Sequence, residues 1–256
     1  MPPIEAPRIM PSDWDSSLFG LRIGRLVPGA DERTNIEQVA VLDRSSFDCV
    51  WVDLALEAAP LLHRWSDLGA HPVDVRIELA LSLAGRRSDP PPASVEAPTS
   101  WAEHDRHALV SLAIEQSAWS RLARDPAFAA AVPRMYERWV GNVFSGHDEA
   151  LVWREGGRIV GMLTTRPEPP IAWLELLDVH ADGRGRGIGG ALVREFLRRA
   201  ALAGHREARV RTQLRNAAAI RTYERAGFAF SHATFVLHWW STERSGRAGE
   251  QSFERA

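Results

Sequence analysis

Leu177-Asp178-Val179-His180-Ala181-Asp182-Gly183-Arg184-Gly185-Arg186-Gly187-Ile188-Gly189-Gly190-Ala191-Leu192 reads as a strand that runs into a glycine-dense turn and then opens a helix. The first N–H groups of a helix have no partner within it, and the helix dipole is positive at that end. Glycine lets an anionic group come close to the backbone. Arg184 and Arg186 add charge inside the turn. The stretch therefore reads as an anion site, of the kind that suits a pyrophosphate.

Apolar periodicity on either side of this stretch gives an alternating pattern. A helix is expected from Asp105 to Ala118 and a helical region from Pro126 to Phe144. Leu151–Arg154 and Ile159–Arg166 flank the turn Glu155-Gly156-Gly157-Arg158 and read as a hairpin. A strand at Ala172–Val179 feeds the loop, and a helix runs from about Gly187 to Ala203. A strand at Ala208–Leu214, a short helix at Ala217–Ala226 and two strands, Phe228–Ser231 and Thr234–Trp240, close the region. Upstream, strands are expected at Leu21–Leu26, Cys49–Asp53 and Val73–Leu83, with a helix over Leu56–Leu68 stopped by Gly69. Residues 84–100 are rich in proline, serine and charge and read as a linker. The expected organisation is an N-terminal α/β domain (1–83), a linker (84–100), a second domain (101–240) and a disordered tail (241–256).

Composition narrows the chemistry. All 31 basic side chains are arginine, so neither a Schiff-base lysine nor a phosphate-loop lysine is available. High-GC codon usage is the plainer origin of that bias. A net charge of −2 gives no reason to expect nucleic acid as a partner. The single cysteine, Cys49, makes no internal disulfide, which fits a reducing, cytoplasmic setting. No apolar run approaches the ~18 residues of a membrane span. His104-x-x-His107 lacks further ligands, so no metal is expected.

The loop fits two patterns. Gly185, Gly187 and Gly190 satisfy GxGxxG, but a dinucleotide-binding domain also wants an acidic residue at the far end of the next strand. Glu207 precedes that strand, and fewer than 70 residues follow the loop. The second pattern is Arg184-x-x-Gly187-x-Gly189, followed by Asn216-x-x-Ala219-x-x-x-Tyr223-x-x-x-Gly227-Phe228. This pair resembles the acetyl-CoA loop and second motif of the Gcn5-related N-acetyltransferases over roughly residues 102–240. The resemblance implies an α/β fold whose mixed central sheet has splayed strands flanked by helices, here preceded by the smaller N-terminal α/β domain. It implies acetyl-CoA as co-substrate, no metal, and a small-molecule amine as acceptor, and it leaves acyl donors longer than acetyl and a homodimer open.

The reaction the resemblance implies needs a neutral amine, a donor for the oxyanion of the tetrahedral intermediate, and a proton for the departing sulfur. Family usage implies that Tyr223 gives the proton. It implies cofactor contacts from Leu177 and Val179 on the splayed strand and from Arg184, Gly185, Arg186, Gly187, Ile188, Gly189 and Gly190 in the loop. Asn216 either touches coenzyme A or caps the following helix. Between Arg184 and Arg225 there are eleven arginines and three glutamates, a local positive field that suits phosphates. Glu175 is the favoured general base, with Asp178 and His180 as neighbours. Strict alternation puts Glu175 on the face of Leu177 and Val179 and Asp178 on the other.

A narrower resemblance extends over most of the chain. Trp14-Asp15-Ser16-Ser17-Leu18-Phe19-Gly20, Ser120-Arg121-Leu122, Asp125-Pro126, Tyr136-x-x-Trp139-x-x-Asn142 and Arg209-Val210-Arg211-Thr212-Gln213 are similar to segments of the TDP-fucosamine (dTDP-4-amino-4,6-dideoxygalactose) N-acetyltransferases. That implies a nucleotide-linked amino sugar as acceptor, with Arg121 and Asn142 nearest to it. Asp182-Gly183 departs from the Pro-x that often precedes Arg184, and the linker is long. The alternatives are an acetyltransferase for a protein N-terminus, an antibiotic or a polyamine, or a non-catalytic acyl-CoA-binding module.

Overall fold

The computed structural model describes residues 6–27, 36–37, 39–85 and 94–241. Residues 86–93 of the expected linker and 242–256 of the expected tail lie outside the described residues. The chain divides into two compact units, Met1–Arg76 with Ala233–Ala256, and Ile77–His232. The boundary thus differs from the one expected at the linker, and the closing strand joins the first unit. Hydrogen bonding explains the second difference: Thr234–Trp240 pairs antiparallel with Cys49–Ala55. The two closing strands expected from sequence are one, β10 (Ala229–Trp240), divided between the units after His232.

In the first unit the strand order is β1 (Arg8–Pro11), β2 (Ile23–Val27), β3 (Cys49–Ala55) and β10. The pair β2–β3 is parallel. Trp14–Gly20 folds as a short helix, α1 (Asp13–Phe19), ended by Gly20 at φ 67°. The helix expected over Leu56–Leu68 is a 3₁₀ segment (Leu56–Leu61) followed by α2 (Leu62–Asp67). Pro60, which has no N–H to donate, lies within the 3₁₀ segment. Trp65 packs edge-on against Trp239 in a buried core with Val50, Val52 and Leu237. The Trp239 Nε1–H donates to the Leu68 carbonyl at 2.6 Å.

In the second unit the strand order is β9 (Glu207–Gln213), β8 (Ile171–Val179), β7 (Arg158–Glu168), β6 (Glu149–Glu155) and β5 (Val95–Glu96). The last part of β4 (Ala70–Ser82) lies beside β9. β5 falls inside the expected linker, where it pairs with β6. The helices are α3 (Glu103–Ser117), α4 (Val132–Phe144), α5 (Ile188–Leu202) and α6 (Ala217–Arg225). Helix α5 buries Ile188, Leu192, Phe196 and Leu197 in the core, which the 3.6-residue period predicts. Arg154 on β6 grips Asp105 of α3 with two bonds of 2.8 Å and Glu96 of β5 with a third of 2.8 Å. Among the described residues no helix is long and apolar enough to cross a membrane.

Two features of β8 position the site. Its parallel pairing with β9 runs from Ile171↔Glu207 to Leu174↔Val210 and then stops, although the strands continue to Val179 and Gln213. On its other edge the register with β7 jumps, with Thr165 opposite Leu174 and Thr164 opposite Leu176. Glu175 is therefore the extra residue of a β-bulge, which bends and twists the strand carrying it. The strands part where the bulge sits.

Candidate active site

The parting of β8 and β9 opens a cavity of about 640 Å³ that lies wholly within the second unit. That volume falls within the range of small-molecule sites, ~300–1,000 Å³. Its floor is the loop read first in the sequence. Gly187 precedes α5 at φ 81°, a left-handed conformation that suits glycine. The first bond of α5 is Ala191 N–H to the Gly187 carbonyl at 3.0 Å. The N–H groups of Ile188, Gly189 and Gly190 precede it and have no acceptor within the helix. All three residues line the cavity, as do Arg184, Gly185 and Gly187. A Cβ on Gly189 would lie 3.7–3.9 Å from Val179, Leu177 and Thr222, so this glycine keeps the backbone bare where three side chains converge.

The arginines divide. Arg184 lines the cavity, donates from Nε to the Val179 carbonyl at 2.9 Å and keeps its side chain 57% exposed. Arg186 turns away: both its terminal nitrogens bind the Glu155 carboxylate, at 2.9 and 2.7 Å, and it is not part of the lining. The bidentate pair satisfies its fork locally. Two arginines without a motif position, Arg194 and Arg225, take part instead. Side chains of a helix lean toward its N-terminus, which brings Arg194 back over Gly190. The direction of helical side chains was the signal available for Arg194.

Of the two expected roles of Asn216, the structure shows the cap. Asn216 lines the cavity, and its Oδ1 accepts from the Ala219 N–H at 3.2 Å as the cap of α6. We expect Asn216→Ala to cost about 1 kcal/mol of stability through the cap alone. Chemical denaturation checks this; unchanged stability would exclude the capping role.

The bulge corrects the expected faces of β8. Leu177 and Val179 do share a face, against Gly189 at the start of α5. Glu175 is not with them. It bonds Arg166 at 2.7 Å, lies in the fields of Asp148 and Arg211, and does not line the cavity. The extra residue breaks the period of two on which strict alternation rests. Asp178 does line the cavity. Its field reaches Tyr136 on α4, and Glu115 on α3 acts on it in turn. Because β8 has lost its partner on the β9 edge here, side chains from both of its faces reach one space.

Asp178 is the most perturbed carboxyl of this space. Its side chain is 11% exposed, Oδ2 is buried without a hydrogen-bond partner, and Arg184 stands 3.8 Å from Oδ1. Burial pushes its pKa up to about 6, against the lowering by the Val179 N–H, Arg184 and His180. A carboxyl shifted in that direction takes up protons near neutral pH. His180 is occupied elsewhere, with Nε2 3.0 Å from Arg158.

Tyr223 is 4% exposed and packs edge-on to Phe228, and burial raises the pKa of its phenol. It does not line the cavity, although the preceding residue, Thr222, does. Tyr136 is also buried, with its pKa pushed up to about 12 by desolvation, against the opposing influences of Ser120, Arg121 and Arg215. Arg121 thus lies close to Tyr136 and is not part of the lining. Asn142 is exposed and bonds Asp148, away from the lining. Gln116 and Trp119 at the end of α3 complete the wall, and no sequence motif marks them.

Residues 104–228 match the Acetyltransferase (GNAT) family. The Bacillus subtilis protein named "Spore coat polysaccharide biosynthesis protein SpsD" is 28% identical over 138 residues, covering 53% of this chain and 48% of its own length. The chain thus spans about half the length of the curated relative it matches. A GCN5-related N-acetyltransferase from Sphaerobacter thermophilus superposes with a TM-score of 0.61 at 19% identity, covering 91% of this chain and 75% of that one. A putative GNAT acetyltransferase from Novosphingobium aromaticivorans gives 0.52 at 21% identity, with coverages of 87% and 89%. At such identities the solved structures show the fold: an open mixed α/β sheet flanked by helices.

Proposed function

Because residues 104–228 are a domain of the acetyltransferase (GNAT) family, we propose that this protein moves an acetyl group from acetyl-CoA to the amine of a small molecule, a nucleotide-linked amino sugar. One observation carries the reading: a helix N-terminus bare of side chains and a buried, proton-accepting carboxyl line the same cavity, on the two faces of a strand that is open on its β9 edge. The name of the Bacillus subtilis relative supports a sugar acceptor. Arg121 and Arg215, whose fields both reach Tyr136 near Asp178, favour an anionic acceptor over a polyamine.

The residues present fit coenzyme A. The N–H groups of Ile188, Gly189 and Gly190 would face the diphosphate, and Arg184, Arg194 and Arg225 supply charge around it. Leu177 and Val179 offer an apolar wall to the pantetheine arm. Acetyl-CoA supplies the thioester. Asp178 takes the base role that the sequence reading gave to Glu175: it removes one proton from the acceptor's ammonium, whose N–H bond breaks as the carboxyl O–H forms. A base with a pKa of about 6 is half-charged just below neutrality, where its exchange of protons is most useful.

Tyr223 protonates the leaving sulfur in this scheme. Burial keeps its phenol protonated, as a donor must be. Tyr223→Phe should reduce kcat by roughly 10²-fold, a usual worth of a general acid, with the acetyl-CoA Kd unchanged. Unchanged turnover would remove Tyr223 from the chemistry.

Thiol release from acetyl-CoA tests the whole reading, with dTDP-4-amino-4,6-dideoxygalactose and other nucleotide-linked amino sugars as acceptors. Release with simple amines and none with the sugars would overturn the sugar acceptor. No release with any amine would overturn the transferase itself.

A further inference from the structure

The wall opposite the loop carries a second exposed need. Gln116 and Asp178 line the same cavity, and each holds a buried oxygen without a hydrogen-bond partner, Oε1 and Oδ2 respectively. Buried acceptors left open are uncommon and costly in folded proteins. Both groups here accept only: the amide oxygen of glutamine and an ionised carboxylate each call for an N–H or O–H donor. A thioester oxygen has no hydrogen to give, and neither has a diphosphate; a pantetheine amide has one N–H. The acceptor's ammonium has three.

We propose that Gln116 positions the acceptor amine: Gln116 and Asp178 together form a two-point seat that selects a primary amine over a hydroxyl. The inference rests on the transferase reading given above. When Asp178 takes its proton, a second N–H stays on Gln116 Oε1. The nitrogen is then held by that one bond, about which it turns to carry its lone pair from the Asp178 side to the thioester carbon. An alcohol brings a single O–H. It satisfies one of the two oxygens and leaves the other buried and unpaired, and such a mismatch rejects a ligand more strongly than a missing methyl group does.

The groups facing Asp178 are Glu115 from α3, Tyr136 from α4, and His180 and Arg184 from the strand end and loop. Placing a charge at position 116 should therefore act on Asp178 directly. The decisive experiment uses the full-length protein with dTDP-4-amino-4,6-dideoxygalactose as amine and its 4-hydroxy counterpart as inhibitor. Gln116→Met keeps the length and removes the acceptor. It should lower kcat/KM for the amine roughly ten- to hundredfold, the usual worth of a hydrogen bond to a charged group, and leave the acetyl-CoA Kd within twofold. It should also narrow the gap between the amine's KM and the hydroxy compound's Ki. Gln116→Glu restores an acceptor, and its charge should move the acidic limb of the pH–kcat/KM profile to higher pH. Melting curves matching the wild type establish that both variants fold.

If Gln116→Met weakens acetyl-CoA binding instead, Gln116 serves a pantetheine amide and the proposal is wrong. It is equally wrong if Gln116→Met leaves the amine's kinetics unaltered or Gln116→Glu leaves the limb in place. These outcomes differ from the failure of the transferase reading, in which the wild type itself releases no thiol with any amine and the seat falls with it.

Discussion

Asp178→Asn is expected to lower kcat/KM for the amine by about 10²- to 10⁴-fold while making the protein more stable at neutral pH. The two effects share one cause. The carboxyl is buried with an unpartnered oxygen, and its pKa in the fold, about 6, lies above the ordinary 3.8. Folding therefore favours the protonated form. Below pH 3.8 the carboxyl is neutral in both states and burial of charge costs nothing. As pH rises from there to about 6 the unfolded chain ionises first and stability falls. Above that the full penalty stands, on the order of 2–3 kcal/mol for a shift of this size. The neutral amide escapes the penalty, so the variant's melting temperature should exceed the wild type's at pH 8 and match it near pH 4. Wild-type kcat/KM should in turn rise with pH through a limb near 6. A limb that survives in Asp178→Asn would assign the base elsewhere, and Glu175→Gln would be the variant to measure next.

Gly189→Glu should abolish acetyl-CoA binding without unfolding the protein. The position lies in the first turn of α5, where a carboxylate suits the helix dipole and stability should hold or rise slightly. Space is not the obstacle at the Cβ, whose neighbours would stand at ordinary contact distances of 3.7–3.9 Å. The longer side chain would carry a negative charge into the cavity facing the proposed diphosphate. Like charges about 4 Å apart repel by about 4 kcal/mol at an effective dielectric of 20, close to a thousandfold in affinity. Isothermal titration with acetyl-CoA measures this. An affinity within tenfold of the wild type would mean that the phosphates lie elsewhere, while Gly189→Ala should bind nearly as the wild type does.

The loop and α5 were legible because their signal is local. A strand, a glycine turn and a helix start leave their marks within sixteen residues, and arginine there has few other uses. The pairing of Arg186 was not legible, because its partner, Glu155, sits at the end of β6, 31 residues away, and nothing in the loop points to it. Nor was the bulge. Leu174-Glu175-Leu176-Leu177-Asp178 reads equally well as an unbroken strand, and the extra residue appears only in the register against β7. That one unseen residue exchanged the expected standing of Glu175 and Asp178. Strand β5 was missed since two residues within a proline-rich stretch carry no period, and the expected linker hid it. The last strand went to the first unit through pairing with residues nearly two hundred positions earlier, a long-range choice that periodicity cannot register.

The bulge at Glu175 makes the number of residues in β8 a functional quantity. Exchanging one side chain for another along this strand alters a contact. Removing the extra residue, Glu175, would leave Leu174 and Leu176 as neighbours opposite Thr165 and Thr164, so that Leu177, Asp178 and Val179 kept their partners on β7 while the bend that parts β8 from β9 was lost. Among descendants of this gene, β8 should accordingly drift in composition while its length is held fixed, and single-codon deletions there should be purged more severely than in the β6–β7 turn.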